Sequence, residues 1–174
     1  MRLQILFLYL CKKTGMINRI IKGSILSDYK RRKVIVLLGA RQVGKTTLLS
    51  ELCEGKDRVL SLNCDNVDDV LALEGKTTTE LRQLLSSYEL VFIDEAQRVK
   101  NVGLTLKMIG DLKLETQVVV TGSSSLDMAD EINEPATGRL IEYNLFPFSL
   151  PELALYSSER EENRLLENRM IYGL

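Results

Sequence analysis

Apolar residues fall in two rhythms along this chain, and their alternation predicts its architecture. Val34-Ile35-Val36-Leu37-Leu38 is an unbroken apolar run of strand length, the pattern of a strand buried on both faces, as in a parallel sheet. Leu90 to Ile93 and Val118 to Val120 read the same way. Leu60, Leu62 and Cys64 alternate with Val59, Ser61 and Asn63, which predicts another strand, and Leu140 to Leu145 predicts a last one. Helical spacing fills the intervals. Ile17, Ile20, Ile21 and Ile25 share a face interrupted by Gly23. Leu48, Leu49, Leu52 and Cys53 form a second face, which Gly55 is placed to end. Val70, Leu71 and Leu73, then Leu81, Leu84 and Leu85, predict two short helices, and Leu104, Met108 and Leu112 mark the face of a longer one. Ser149-Leu150-Pro151-Glu152 has the form of a capping box opening a terminal helix. The charged stretch Glu159 to Arg169 reads as a solvent-exposed helix face. Strands alternating with helices imply an α/β sandwich around a mainly parallel sheet.

Composition narrows the chemistry. The 174 residues include no histidine, so Ser-His-Asp and Cys-His catalysis and His-ligated metal sites are excluded. Carboxylates, lysine, hydroxyls, backbone amides or a borrowed metal ion remain. A net charge of −1 argues against bulk electrostatic binding to nucleic acid or an anionic membrane. The run Lys30-Arg31-Arg32-Lys33 reads as a solvated face before a nucleic-acid contact. Cys11, Cys53 and Cys64 are odd in number and widely spaced, which suits reduced thiols in a cytoplasmic protein. Leu3 to Cys11 is apolar but too short to span a membrane, and it leads into Lys12-Lys13 instead of a small-residue cleavage site. Residues 1–15 are expected to be disordered or to precede a true start at Met16, leaving 16–174 as one domain.

Residues 39–46 carry the strongest signal. Gly39-Ala40-Arg41-Gln42-Val43-Gly44-Lys45-Thr46 has the form G-x-x-x-x-G-K-[ST], and it lies between a buried strand and an amphipathic helix. Its glycines let successive N–H groups face phosphate oxygens, and the helix behind adds its dipole and free amides. Lys45 is expected to reach the β- and γ-phosphates and Thr46 to ligate Mg²⁺, with Thr47 completing the cradle. Val91-Phe92-Ile93-Asp94-Glu95 then delivers an acidic pair at a strand end. Asp94 is the expected Mg²⁺ partner, and Glu95 the residue that polarises an attacking water. The strand ending at Thr121-Gly122-Ser123 offers Thr121 and Ser123 as contacts to a γ-phosphate or to that water. Arg139 is a candidate for stabilising transition-state charge, from the same subunit or a neighbour, and Arg41 could project outward from the loop.

These segments together resemble one family. The phosphate loop through Thr47, Phe92-Ile93-Asp94-Glu95-Ala96-Gln97, Thr121-Gly122-Ser123-Ser124-Ser125, Thr137-Gly138-Arg139 and Leu145-Phe146-Pro147-Phe148-Ser149 are similar to an AAA+-like ATPase family of bacteria and archaea. The resemblance implies a P-loop NTPase fold, a three-layer α/β/α sandwich whose mainly parallel five-stranded sheet has the order 5-1-4-3-2. It implies ATP as the nucleotide and Glu95 as catalytic carboxylate. Similar proteins continue beyond the position of Leu174 into a helical lid and a second domain, so this chain is expected to be a truncated core. The expected activity is Mg²⁺-dependent ATP hydrolysis coupled to conformational work on a protein client. The alternative is a nucleotide-dependent switch with little turnover, and a small-molecule kinase is weaker because Glu95 beside Asp94 favours water as acceptor. The expected partners are ATP and ADP, a client and further copies of the chain; nucleic acid and membrane are not expected. Gln97 invites comparison with helicase acidic boxes, but no other helicase signature follows it.

Overall fold

The computed structural model describes residues 17–123 and 138–172. Residues 1–15, Cys11, Ser124, Ser125 and Thr137 lie outside them. Five strands, β1 (Val34–Leu38), β2 (Val59–Asn63), β3 (Leu90–Asp94), β4 (Gln117–Gly122) and β5 (Leu140–Asn144), form one sheet of order β2-β3-β4-β1-β5. Every pairing is parallel, and the order read backwards is the expected 5-1-4-3-2.

The unbroken apolar runs occupy the centre because the sheet is covered on both faces. Val34, Val36 and Leu38 of β1 join one core with Leu62, Leu81, Leu85, Val91, Leu106 and Ile109. Helices α4 (Thr78–Leu85) and α5 (Val102–Asp111) cover that face. Ile35 and Leu37 join a second core with Ile25, Leu48, Leu52 and Phe92, under α1 (Ile21–Asp28) and α2 (Lys45–Leu52). An ion pair at 2.9 Å between Lys22 and the buried Glu51 ties those two helices together. A short helix α3 (Val67–Leu71) follows β2. The edge strands β2 and β5 are partly exposed, which is why β2 alternates while the central strands do not.

Several stripes of the sequence reading shift. On α5 the buried positions are Val102, Gly103, Thr105, Leu106 and Ile109; of the expected face, Met108 and Leu112 are partly buried against the same core and Leu104 is 51% exposed. Two apolar stripes compete on this helix, and the one continuous with buried Val99 faces the sheet. Ile20 and Leu71 are also exposed, because α1 begins only at Ile21 and α3 lies almost wholly on the surface. After β5 the expected capping box is present: the Ser149 hydroxyl accepts from the Glu152 N–H and Glu152 accepts from the Ser149 N–H. It opens α6 (Leu150–Tyr156), which leads into α7 (Glu159–Tyr172). The α7 face is not wholly solvated, since Glu162 is buried and pairs with Arg169 at 2.8 Å.

Candidate functional site

The carboxyl ends of parallel strands form one rim of the sheet, the usual place for ligands in α/β proteins. Leu38 of β1 pairs with Gly122 of β4 at this rim, and the chain enters residues 39–44 from there. Gly39 is pressed against the segment after β5: its N–H donates to the Gly122 carbonyl at 3.3 Å, and the Leu145 N–H donates to the Leu38 carbonyl at 2.7 Å. A Cβ at Gly39 would stand 2.6 Å from the Leu145 carbonyl oxygen, and that oxygen belongs to backbone and cannot swing aside. Gly39→Ala is therefore expected to lower stability by about 1–3 kcal/mol, read as a fall in the denaturant midpoint at unchanged m-value.

The loop turns into α2 through Gly44, whose φ of +93° suits glycine and strains other residues. Gln42, at φ +66°, shares this left-handed geometry. The first α2 hydrogen bond runs from the Leu48 N–H to the Gly44 carbonyl at 3.0 Å. Among the described residues, the N–H groups of Gly44, Lys45, Thr46 and Thr47 find no acceptor, as expected at a helix N-terminus. They form a positive rim with the helix dipole behind it. Lys45 is buried, and its Nζ donates to the Gly39 and Ala40 carbonyls at 2.7 and 2.9 Å. Its charge is thus held over the loop. Ala40, Arg41, Gln42, Thr46 and Thr47 are exposed, and Val43 is half-buried.

The acidic pair stands on the same rim, two strands from β1 and so about 10 Å across the sheet. Asp94 ends β3, and Glu95 follows in left-handed backbone at φ +53°. Strain of this kind gathers at functional sites. Thr121 of β4, between β1 and β3, is fully buried. Its hydroxyl donates to Asp94 Oδ1 and accepts from the Glu95 N–H at 3.3 Å. The side chain expected to touch a ligand is occupied by the Asp94 carboxylate and the Glu95 backbone, because the hydroxyl points along the sheet toward β3. Thr121→Val keeps the volume but strands the Glu95 N–H. It is expected to cost about 1–3 kcal/mol of stability, measurable by chemical denaturation.

Ser123 follows β4 on this rim and is half-buried. Arg139 is not brought to the site within its own chain. Its carbonyl accepts from the Val34 N–H and its guanidinium pairs with Asp111, at the start of β1. That is the opposite end of a five-residue strand, about 16 Å away. The basic run lies at that far end too, where Arg31 pairs with Asp28 at 2.9 Å and Arg32 with Glu115 at 3.4 Å.

Electrostatically, the rim sets acids opposite the amide cradle. Burial, then Asp69, Asp94, Asp65 and Glu95, pushes the Cys64 thiol up to about 12, so it stays protonated. Among the described residues no group of three or more Cys, Asp or Glu side chains could hold a metal alone. Asp94 and the exposed Thr46 hydroxyl are hard oxygen donors of the kind that could hold Mg²⁺ together with phosphate oxygens and water.

Two contributors escaped the sequence reading. Gln97, discounted with the helicase comparison, donates its Nε2–H to Glu95 Oε2, while its own Oε1 is buried without a partner. Arg19, outside every motif, donates to the Val43 carbonyl of the loop at 2.9 Å. Only its place on the polar side of the first helical pattern hinted at a role.

A family model described as an AAA domain matches residues 31–154. No curated protein matches the chain.

Proposed function

The chain belongs to the AAA domain family of P-loop ATPases, and from that premise we propose that it binds ATP with Mg²⁺ and hydrolyses it. In this reading the γ-phosphate state drives conformational work on a protein client in the cytoplasm. The observation that carries it is the placing of two complementary halves on one rim: buried Lys45 with unbonded α2 amides, and Asp94-Glu95 about 10 Å away.

Each residue then has a role. The amides from Gly44 to Thr47 and the Lys45 ammonium grip the β- and γ-phosphates, Lys45 exchanging the Gly39 and Ala40 carbonyls for phosphate oxygens. Thr46 and Asp94 would hold the metal ion, which would neutralise charge on the terminal phosphates. Glu95 accepts a proton from the water that attacks in line, and Thr121 keeps the two acids in register. Ser123 lies on the rim beside that water. Arg41, exposed at the loop tip, faces a partner, such as a further copy of the chain.

A second reading, a nucleotide-gated switch with little turnover, is favoured by one contact. Gln97 already occupies a Glu95 oxygen, so the carboxylate must leave that amide to serve a water. Phosphate release from ATP, compared in Mg²⁺ and in EDTA, tests the enzymatic reading. Metal-dependent release supports it. Nucleotide binding without release supports the switch, and neither binding nor release rejects both.

A further inference from the structure

The nucleotide reading uses the loop and the acidic rim but leaves a buried ion pair unexplained. Arg19, just before α1, and Glu152, on α6, are each less than a tenth exposed. Charges withdrawn from water this far cost stability unless they are paired and hydrogen-bonded, and each nitrogen of this guanidinium has an acceptor. Arg19 Nε donates to Glu152 Oε1 at 3.1 Å, Nη1 to the Val43 carbonyl at 2.9 Å, and Nη2 to the Phe146 carbonyl. The guanidinium also lies 4.4 Å from the Phe148 ring centroid. Glu152 Oε1 accepts from the Ile20 N–H as well, at 3.0 Å, and Oε2 accepts from the Ser149 N–H at 2.9 Å. One fork thus joins the N-terminal segment, the phosphate loop, the chain after β5 and the first turn of α6.

The contact with Val43 has a geometric consequence. A trans peptide is planar, so the carbonyl of one residue and the N–H of the next point in opposite directions. With the Val43 carbonyl drawn outward onto Arg19, the Gly44 N–H turns to the other side, where α2 presents its unbonded amides. Glycine permits this turn at φ +93° but does not enforce it. The Arg19 bond to the Val43 carbonyl adds a second constraint on this peptide.

We propose that Arg19, anchored by Glu152, is a positioning residue that sets the Val43–Gly44 peptide for phosphate binding and thereby couples nucleotide affinity to the seating of α6. The inference rests on the nucleotide reading. Coupling is reciprocal: if seating α6 tightens nucleotide binding, then nucleotide must tighten α6. A lysine keeps the charge of Arg19 but cannot reach three acceptors in a plane.

The test measures Mg-ADP affinity of the full chain by calorimetry, well below the unfolding midpoint. Arg19→Lys is expected to weaken binding by about tenfold. Thr77→Ala, which removes the remote α4 cap, lowers the unfolding midpoint and leaves affinity alone. Amide exchange in α6 is expected to slow with Mg-ADP in the wild type and not in Arg19→Lys. Unchanged affinity in folded Arg19→Lys, or an equal loss in Thr77→Ala, overturns the proposal. Should Arg19→Lys fail to fold, Glu152→Gln decides: it removes the negative charge beside Arg19 and keeps one of the two acceptor oxygens, and a loss of about fivefold is expected, with no loss overturning it. Wild type that binds no Mg-ADP rejects the nucleotide reading, and this inference with it. Wild type that binds while Lys45→Ala does not, beside an unaltered Arg19→Lys, rejects only the role of Arg19.

Discussion

Replacing Lys45 by alanine is expected to remove nearly all the stabilisation that Mg-ATP confers on the folded chain. The ammonium is the buried charge of the loop, and its present acceptors are the Gly39 and Ala40 carbonyls. Phosphate oxygens offer stronger, charge-assisted bonds, each about twice the strength of a neutral one. Losing them should raise the dissociation constant by about a hundredfold, near 2.7 kcal/mol. Ligand at about 100 times the wild-type constant stabilises the native state by about 2.7 kcal/mol, and the same concentration stabilises the variant by only about 0.4. For a chain of this length the first corresponds to roughly 5–11 °C in the melting midpoint and the second to about 1–2 °C. A thermal scan with and without Mg-ATP reads the difference directly. Equal shifts in the two proteins would place the phosphates somewhere other than this loop.

Glu95→Gln is expected to separate binding from turnover. The substitution preserves shape and hydrogen-bonding reach but removes the base. General-base catalysis contributes about a hundredfold to ten-thousandfold, so phosphate release should fall by about a hundredfold or more, with nucleotide affinity nearly unchanged. The backbone should tolerate the change, because glutamine visits the left-handed region at Gln42 in this same chain. Wild-type-like release by the variant would reassign the water-polarising role. Wild type with no release, matching the variant, would favour the switch, with Gln97 holding Glu95 out of use.

How far these residues could be read in advance depends on how local their signals are. Val34 to Leu38 announced a doubly buried strand because both core faces need apolar side chains at every position. The loop at residues 39–46 is readable because the geometry it needs is that of the backbone, which glycine spacing encodes within eight residues. The Ser149–Glu152 box was equally local, and it formed as expected. Of the expected α5 face, Met108 and Leu112 pack against the core and only Leu104 turns outward, because the neighbouring sheet favours the adjoining stripe of Val102, Leu106 and Ile109. Thr121 was rightly placed on the rim, but its hydroxyl faces Asp94 and Glu95.

The alternation of strands and helices and the two halves of the candidate site are written in contiguous residues whose spacing has a physical meaning, and so can be read without a fold. Tertiary structure alone decided which charged groups meet. Arg139 lies near the loop in no sense but the order of strands: parallel pairing puts the start of β5 beside the start of β1, at the far end from residues 39–44. Arg19 and Glu152 are 133 positions apart, and no periodicity relates them. A buried charge must find a partner wherever the fold delivers one, because leaving it unpaired costs more than almost any local preference can offset.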